Sequence, residues 1–211
     1  KAVENELHNR RRGDAVRLEV EAGTPEDICN ALLGTLHLRQ EDLYVVDSPL
    51  NSTRLMAVCE GDHSPELRFP PWVPPVAPAL RGQVDLFAAI RERDILLHHP
   101  FEHFESVISL LEQAAADPAV LAIKMTLYRA GGDSPIARSL MRAAERGVQV
   151  AVLVELKDRF DEATNVSWAR ALERAGVHVV YGLVGLKTHA KTVLVVRQDH
   201  DGLRRYVHIG T

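Results

Sequence analysis

The chain has 211 residues, of which 46% are hydrophobic and 26% charged, a composition typical of a globular protein with a buried core. Its longest apolar runs fall well short of the ~20 residues that a membrane-spanning helix needs, and two cysteines are too few for a disulfide framework. The net charge of −4 is unevenly divided, because residues 119–211 carry +5 and residues 1–118 carry −9, so the second part is the one suited to binding anions.

A proline-rich stretch over 69–78 divides the chain, with five prolines in ten residues. Such a stretch is extended and does not join regular structure. The patterns before it predict a strand, a helix, a second strand and a second helix, over 15–21, 24–36, 43–47 and 52–59. We interpret residues 1–75 as a small α+β domain with no recognisable chemistry.

Helices and strands alternate after the proline stretch. Helices are predicted over 101–116, 133–146 and 165–175, and strands over 120–128, 148–155 and 177–181. Strands joined by helices pair in parallel with right-handed crossovers. Only six residues, 182–187, precede the next apolar run, which is too few for a helical crossover, so the next strand is predicted to be antiparallel. We therefore expect residues 76–211 to form an α/β domain with a mixed, mostly parallel sheet flanked by helices.

The motif Lys187-Thr188-His189-Ala190-Lys191 stands at the start of that apolar run. On a strand, residues two apart project from the same face, so the two lysines and the histidine are predicted to lie together. A neutral imidazole is a nucleophile, and ammonium groups attract an anion and stabilise the charge that develops on it. This combination suits attack on a phosphoryl group, although so short a motif taken alone favours the polar face of an edge strand.

Two arginines favour the phosphate interpretation. In open α/β sheets, ligands bind beyond the carboxyl ends of the parallel strands. Arg129 leaves the first predicted strand, Arg159 follows the second, and an antiparallel strand that starts near His189 would begin beside them. A guanidinium binds phosphate in a bidentate manner, and lysine neutralises it as a point charge. We interpret the two arginines and the two lysines as a phosphate site around the histidine, whereas either arginine alone would indicate a surface salt bridge.

Four separated motifs carry a family resemblance. They are, in chain order, LLHHPFE over 96–102, IKMTLYR over 123–129, VELKDRFDE over 154–162 and GLKTHAK over 185–191. Together they resemble the polyphosphate kinases of the phospholipase D-like type. The resemblance continues upstream through 15–20 and 46–50, so it covers nearly the whole chain. It implies that residues 1–75 are the later part of the family's head domain and residues 76–211 most of its first, phospholipase D-like catalytic domain, truncated at its C-terminus.

The resemblance also implies a reaction, the reversible transfer of the terminal phosphate of ATP to polyphosphate. His189 would carry the phosphate as phosphohistidine, with Lys191 as a second catalytic residue. Arg129, Arg159 and Lys187 would bind phosphate. The two arginines would also mark a Mg²⁺ region, and contact there is expected through phosphate or water because a guanidinium has no free lone pair.

The same resemblance predicts the partners and the setting. ATP or ADP and inorganic polyphosphate are expected to bind, and nucleic acid is not. The full-length protein is expected to be a cytoplasmic homo-oligomer without a transmembrane segment, with peripheral membrane contact left open. A further domain, expected to follow Thr211, would supply a second histidine motif, so the chain alone is expected to be inactive.

Two alternative functions stay open. A phospholipase D-like phosphodiesterase would use the same histidine as a covalent nucleophile, but such enzymes usually have aspartate where Val196 stands here. A non-enzymatic polyanion-binding or assembly module would bind without needing His189. For the histidines near His98, zinc binding competes with packing at the start of a helix, and packing is the preferred interpretation because Pro100 interrupts the segment.

Overall fold

The computed structural model describes residues 13–61, 65–128, 133–155, 162–183 and 185–210. The chain divides between Pro71 and Trp72 into two compact units. No helix in the described ranges combines the length and the apolar character needed to cross a membrane.

Within the described residues of the first unit, the strands and α-helices are β1 (Leu18–Glu21), α1 (Glu26–Leu36), β2 (Leu43–Val46) and α2 (Met56–Gly61). β1 and β2 pair in parallel, and α1 connects them and buries Cys29 and Leu33. The predicted mixture of helix and strand is confirmed. The last predicted helix is only partly α-helical, because its first turn, Ser52–Leu55, is a 3₁₀-helix.

The second unit is built on a five-stranded sheet. Its elements are α3 (Leu86–Glu92), α4 (Glu105–Ala116), β3 (Val120–Leu127), α5 (Pro135–Glu145), β4 (Gln149–Val154), α6 (Glu162–Arg174), β5 (His178–Tyr181), β6 (Lys191–Asp199) and β7 (Gly202–Gly210). The strand order is β5-β4-β3-β6-β7. β3, β4 and β5 are parallel, β6 is antiparallel to β3, and β7 is antiparallel to β6. The predicted mixed sheet flanked by helices is confirmed, and only β6 runs against the other strands of this sheet.

Local capping explains where the helices begin. Ser134 accepts a hydrogen bond from the Ala137 N–H, and Pro135 occupies the first helical position of α5, as predicted. α4 begins later than expected, because the residues before it are held in turns: the Glu102 carboxylate accepts from the His98 N–H at 2.7 Å. α3 was not predicted from the sequence.

The core of the second unit lies between the sheet and its helices. Alternate residues of β4 are buried, and α4, α5 and α6 contribute one fully buried leucine each. These side chains are Val150, Val152, Val154, Leu111, Leu140 and Leu172. Burying each such side chain stabilises the fold by about 1.5–3 kcal/mol. The positions of the strand ends are therefore fixed by a packed core.

The connection between β5 and β6 decides which strand ends become neighbours. The predicted antiparallel direction of β6 is confirmed, but β6 pairs with β3 and not with β5. The chain therefore passes the ends of β4 and β3 before β6 begins at Lys191. As a result, the start of β6 lies at the same edge of the sheet as the carboxyl ends of β3, β4 and β5, and we call this edge the strand-end edge.

Candidate active site

Three residues of the predicted site gather around one aromatic ring, that of Tyr128 at the strand-end edge. The His189 imidazole lies with its ring centroid 5.0 Å from that of Tyr128 and with an angle of 76° between the planes. The ammonium nitrogen of Lys191 lies 4.2 Å from the Tyr128 centroid, and that of Lys187 lies 5.7 Å from it. Lys191 Nζ also donates a hydrogen bond of 2.6 Å to the His189 carbonyl. The structure thus brings the histidine and both lysines together.

The reason for their proximity differs from the predicted one. β6 begins at Lys191, and residues 187–190 are irregular. The prediction that Lys187 and His189 project from the same strand face as Lys191 is therefore wrong. The Thr188 N–H donates to a side chain and not to a neighbouring strand, so this segment does not extend β6 and passes beside the aromatic ring instead.

Hydrogen bonds fix this loop, residues 187–190, to the strands beneath it. The Thr188 N–H donates to Glu155 Oε2 at 2.6 Å, and Glu155 is 3% exposed. Thr126 Oγ1 donates to the Ala190 carbonyl at 2.6 Å and accepts from the Thr192 N–H at 2.9 Å. These bonds lie on both sides of the histidine, so the ends of β3 and β4 determine where the imidazole is held.

A buried asparagine joins the same two strand ends. Asn165 of α6 is fully buried, and its Nδ2 donates to the carbonyls of Tyr128 at 2.8 Å and Glu155 at 3.1 Å. The Glu155 N–H in turn donates to the Leu127 carbonyl. The backbone of Tyr128 is therefore held from α6 as well as from the sheet.

The charges at this site are accessible. His189 and Lys187 are exposed and Lys191 is partly exposed. Among the residues that the structure describes, neither lysine forms an ion pair with a carboxylate. Two ammonium groups that form no ion pair with a described carboxylate thus lie beside the exposed imidazole.

Sequence reasoning missed the residues that build the site from below. Tyr128, Glu155 and Asn165 were not given a role, although the first two are polar residues at the last positions of predicted strands, which is a usable signal. Arg129 and Arg159 lie outside the described residues, so their phosphate binding stays a prediction.

The described side chains do not fit a resident magnesium site. Within the described ranges, no group of three or more His, Cys, Asp or Glu side chains is arranged to hold a metal. The nearby carboxylate, Glu155, is buried and accepts the Thr188 N–H. The predicted Mg²⁺ region at Arg129 and Arg159 falls outside the described part of the chain.

The histidines near His98, which precede α4, make ordinary structural contacts. His103 Nδ1 accepts from the Glu105 N–H at 3.0 Å, at the start of α4. His99 Nδ1 lies 2.9 Å from the Glu102 carbonyl. These contacts agree with packing at a helix start.

Comparison with known families decides the assignment. A family profile described as polyphosphate kinase C-terminal domain 1 matches residues 85–211, which is more than half of the chain, and one described as polyphosphate kinase middle domain matches residues 1–58. The chain belongs to the polyphosphate kinase family. The division of that family into head and catalytic domains at residue 75 stays a prediction for this chain.

Individual polyphosphate kinases agree with this assignment. Curated members are 50% identical in Neisseria meningitidis serogroup B and 52% identical in Synechocystis, over the whole of this chain. The chain spans 31% of the length of each of these relatives. The crystal structure of polyphosphate kinase from Porphyromonas gingivalis matches with a TM-score of 0.73 and 30% identity, over 87% of this chain and 28% of that one.

Proposed function

We propose that this chain forms part of the active site of an enzyme that transfers the terminal phosphate reversibly between ATP and polyphosphate, with His189 as the residue that carries the phosphate. One observation supports this most directly: an exposed imidazole lies beside two ammonium groups that form no described ion pair. The names of the relatives point to the same substrate class.

The proposed reaction has two balanced steps. A ring nitrogen of neutral His189 attacks the γ-phosphorus of ATP, a nitrogen–phosphorus bond forms, and the bond from phosphorus to the bridging oxygen breaks. The bridging oxygen leaves on ADP with the electron pair, and the proton on the other ring nitrogen stays there. A terminal oxygen of polyphosphate then attacks the same phosphorus, and the electron pair of the nitrogen–phosphorus bond returns to the imidazole.

The cations have separate roles in this proposal. Lys187 and Lys191 neutralise the negative charge that grows on the phosphoryl oxygens in the transition state. Arg129 and Arg159 bind phosphate oxygens in a bidentate manner. Arg129 and Arg159 would mark the Mg²⁺ region through phosphate or water, where the ion would neutralise phosphate charge, and no described carboxylate is assigned to it. Homo-oligomerisation of the full-length protein stays a prediction.

Labelling from ATP tests the nucleophile. The full-length protein incubated with γ-³²P-labelled ATP should acquire an acid-labile, base-stable phosphoramidate, and the His189→Ala variant should not. His178→Ala is a matched control, because His178 is also exposed but starts β5, at the opposite edge of the sheet. Full labelling of the His189→Ala variant would show that His189 is not the residue that carries the phosphate.

The labelling experiment, together with a cleavage assay and a binding assay, separates the alternative functions. A phosphodiesterase would cleave a phosphodiester in the absence of nucleotide, and it would not take label from ATP. A polyanion-binding module would bind polyphosphate equally well with and without the His189→Ala substitution, and it too would take no label. Only a phosphotransferase should show both labelling and loss of labelling in the variant.

The chain by itself should bind without catalysing. We expect the 211-residue chain to bind polyphosphate weakly and to lose it as salt is added, because exposed charges are screened over a Debye length of ~8 Å at physiological ionic strength. It should not make polyphosphate from ATP, because the rest of the enzyme supplies much of the positioning and charge neutralisation. Measurable synthesis by the chain alone would show that its site is complete.

A further inference from the structure

The aromatic ring at the centre of the site has no role in the reaction as proposed above. Tyr128 contacts the imidazole of His189 and lies near the ammonium groups of Lys187 and Lys191. All three contacts are made with the ring and not with the hydroxyl group. Because the face of an aromatic ring is electron-rich, it attracts cations without neutralising them.

We propose that Tyr128 is a positioning residue for phosphoryl transfer: its ring holds the imidazole and the two ammonium groups together while leaving the charges of the lysines free for the phosphate. This inference rests on the proposed function of His189. Tyr128 itself makes and breaks no bond.

The physical argument depends on the strength of the contact. A carboxylate in the place of the ring would pair with the lysines and cancel the charge that the phosphate needs. A cation–π contact at an exposed site is weaker than a charge-assisted hydrogen bond to a phosphate oxygen. Lys191, 4.2 Å from the ring centroid, is therefore held in the free site and is released to the phosphate oxygens when the phosphate arrives.

Other cations on aromatic rings in this chain are arranged differently. Arg17 lies 3.8 Å from the ring centroid of Tyr44, and it also forms an ion pair of 2.7 Å with Glu19. Arg197 lies 5.4 Å from the ring centroid of Phe87, and it also donates to a carboxylate at 2.8 Å. The lysines at Tyr128 have no such carboxylate among the described residues: Lys191 is held by the ring and by its hydrogen bond to the His189 carbonyl, and Lys187 lies near the ring.

The ring can act as a reference point because its backbone is fixed. The Tyr128 carbonyl accepts a hydrogen bond of 2.8 Å from Asn165, which is fully buried. The loop that carries His189 is fixed through Thr126 and through Glu155, whose carbonyl accepts from the same Asn165. The ring and the imidazole are thus held by one connected set of hydrogen bonds.

Replacing the ring tests this inference. In the full-length protein, Tyr128→Leu should slow the single-turnover labelling of His189 by about 10- to 100-fold, the scale expected when a reacting group is misplaced. Tyr128→Phe keeps the ring and should label at close to the parent rate. The fall should be in kcat more than in KM for ATP. Tyr44→Leu is the matched control, because it removes a ring that contacts a cation in the other unit, and it should leave labelling unchanged.

A fluorinated ring at position 128 should keep the fold and remove the attraction between the ring face and the ammonium groups. Incorporating pentafluorophenylalanine at position 128 preserves the size of the ring but reverses the charge of its face. Labelling should then fall as it does with leucine, even though the melting temperature is unchanged. This second variant keeps the inference testable where the leucine variant does not fold.

The outcomes are distinguishable from failure of the proposed function. Parent-rate labelling with leucine or with the fluorinated ring would overturn the role of Tyr128, provided that His189→Ala still abolishes labelling. An equal loss with phenylalanine and leucine would also overturn it, because the hydroxyl group would then be the part that matters. Labelling that persists in His189→Ala would instead overturn the proposed function.

Discussion

Strand β6 has a cation near each end, and the two ends hold their cations in opposite ways. At the start, Lys191 lies over an aromatic ring and pairs with no described carboxylate. Near the other end, Arg197 donates to Asp117 at 2.8 Å and pairs with Asp199. Asp199 is buried and has a second partner, because its carboxylate also accepts a hydrogen bond of 2.6 Å from the Tyr206 hydroxyl.

The pKa values at the far end reflect this pairing. Burial acts to raise the pKa of Asp199, but hydrogen bonds from Tyr206 and Arg197 outweigh it and lower the pKa below its usual value. Burial and the hydrogen bond to Asp199 raise the pKa of Tyr206 to about 12. Both pKa shifts favour an ionised Asp199 and a protonated Tyr206 at neutral pH.

The difference between the ends separates two uses of charge. Arg197 is paired with a buried carboxylate, so its charge is neutralised within the fold. A surface cation contributes little to the free energy of unfolding, and in the proposed function the charge of Lys191 acts on the phosphate instead. Substitutions at the two ends of β6 should therefore affect different measurements.

The largest effect on stability is expected at Asp199. Asp199→Ala should lower the free energy of unfolding of the chain by about 3–5 kcal/mol, because it removes a buried carboxylate and leaves the partly buried Arg197 and the buried Tyr206 hydroxyl without this partner. Urea denaturation measures this. Asp201→Ala is the control, because Asp201 pairs with Arg204 at the surface and should matter little. Equal stability of the two variants would contradict the structural role that we assign to the cation at this end of β6.

At Lys191 we expect a loss of activity with little change in stability. Lys191→Met should lower the turnover of the full-length enzyme by about 10²–10³-fold, since it removes a charge that stabilises the transition state, and should change the melting temperature little. Lys124→Met serves as the control, because Lys124 is an exposed lysine within β3. A stability loss without an activity loss at Lys191 would place it with Arg197 as a structural cation.

A smaller effect on turnover is expected when Arg129 or Arg159, the two predicted phosphate-binding arginines, is exchanged for lysine. Arg129→Lys and Arg159→Lys keep the charge but lose bidentate binding. Turnover should fall by about one order of magnitude or more in each variant, with thermal stability nearly unchanged. Steady-state kinetics on both variants decides this, and normal kinetics would identify the two arginines as surface residues.

The smallest effect is expected at His208 of β7. Burial, and then the charge of His99, lower the pKa of His208 below its ordinary value of 6.5. Below that pH the unfolded chain takes up a proton more readily than the folded chain, so the stability that comes from this group falls as the pH falls. His208→Gln should make the melting temperature less dependent on pH between about 7 and 5. An unchanged pH dependence would show that His208 does not contribute to it.

The sequence by itself determined most of the strands and helices and singled out the histidine and lysines of the candidate site. Ser134-Pro135 and Gly147 mark the start and end of α5, and the alternating apolar residues of β4 mark its buried face, because these signals act between residues close in the chain. The histidine with its two lysines was readable in the same way. The absence of a helix between β5 and β6 was enough to predict the direction of β6.

Only the tertiary structure decided how the histidine is held. Thr126 bonds to Ala190 across 64 positions of sequence, and Arg197 bonds to Asp117 across 80. Contacts of this kind depend on β6 pairing with β3 and not with β5, a choice that no local pattern specifies. The ring of Tyr128 became the centre of the site for the same reason, because only the packed sheet brings the end of β3 beside the start of β6.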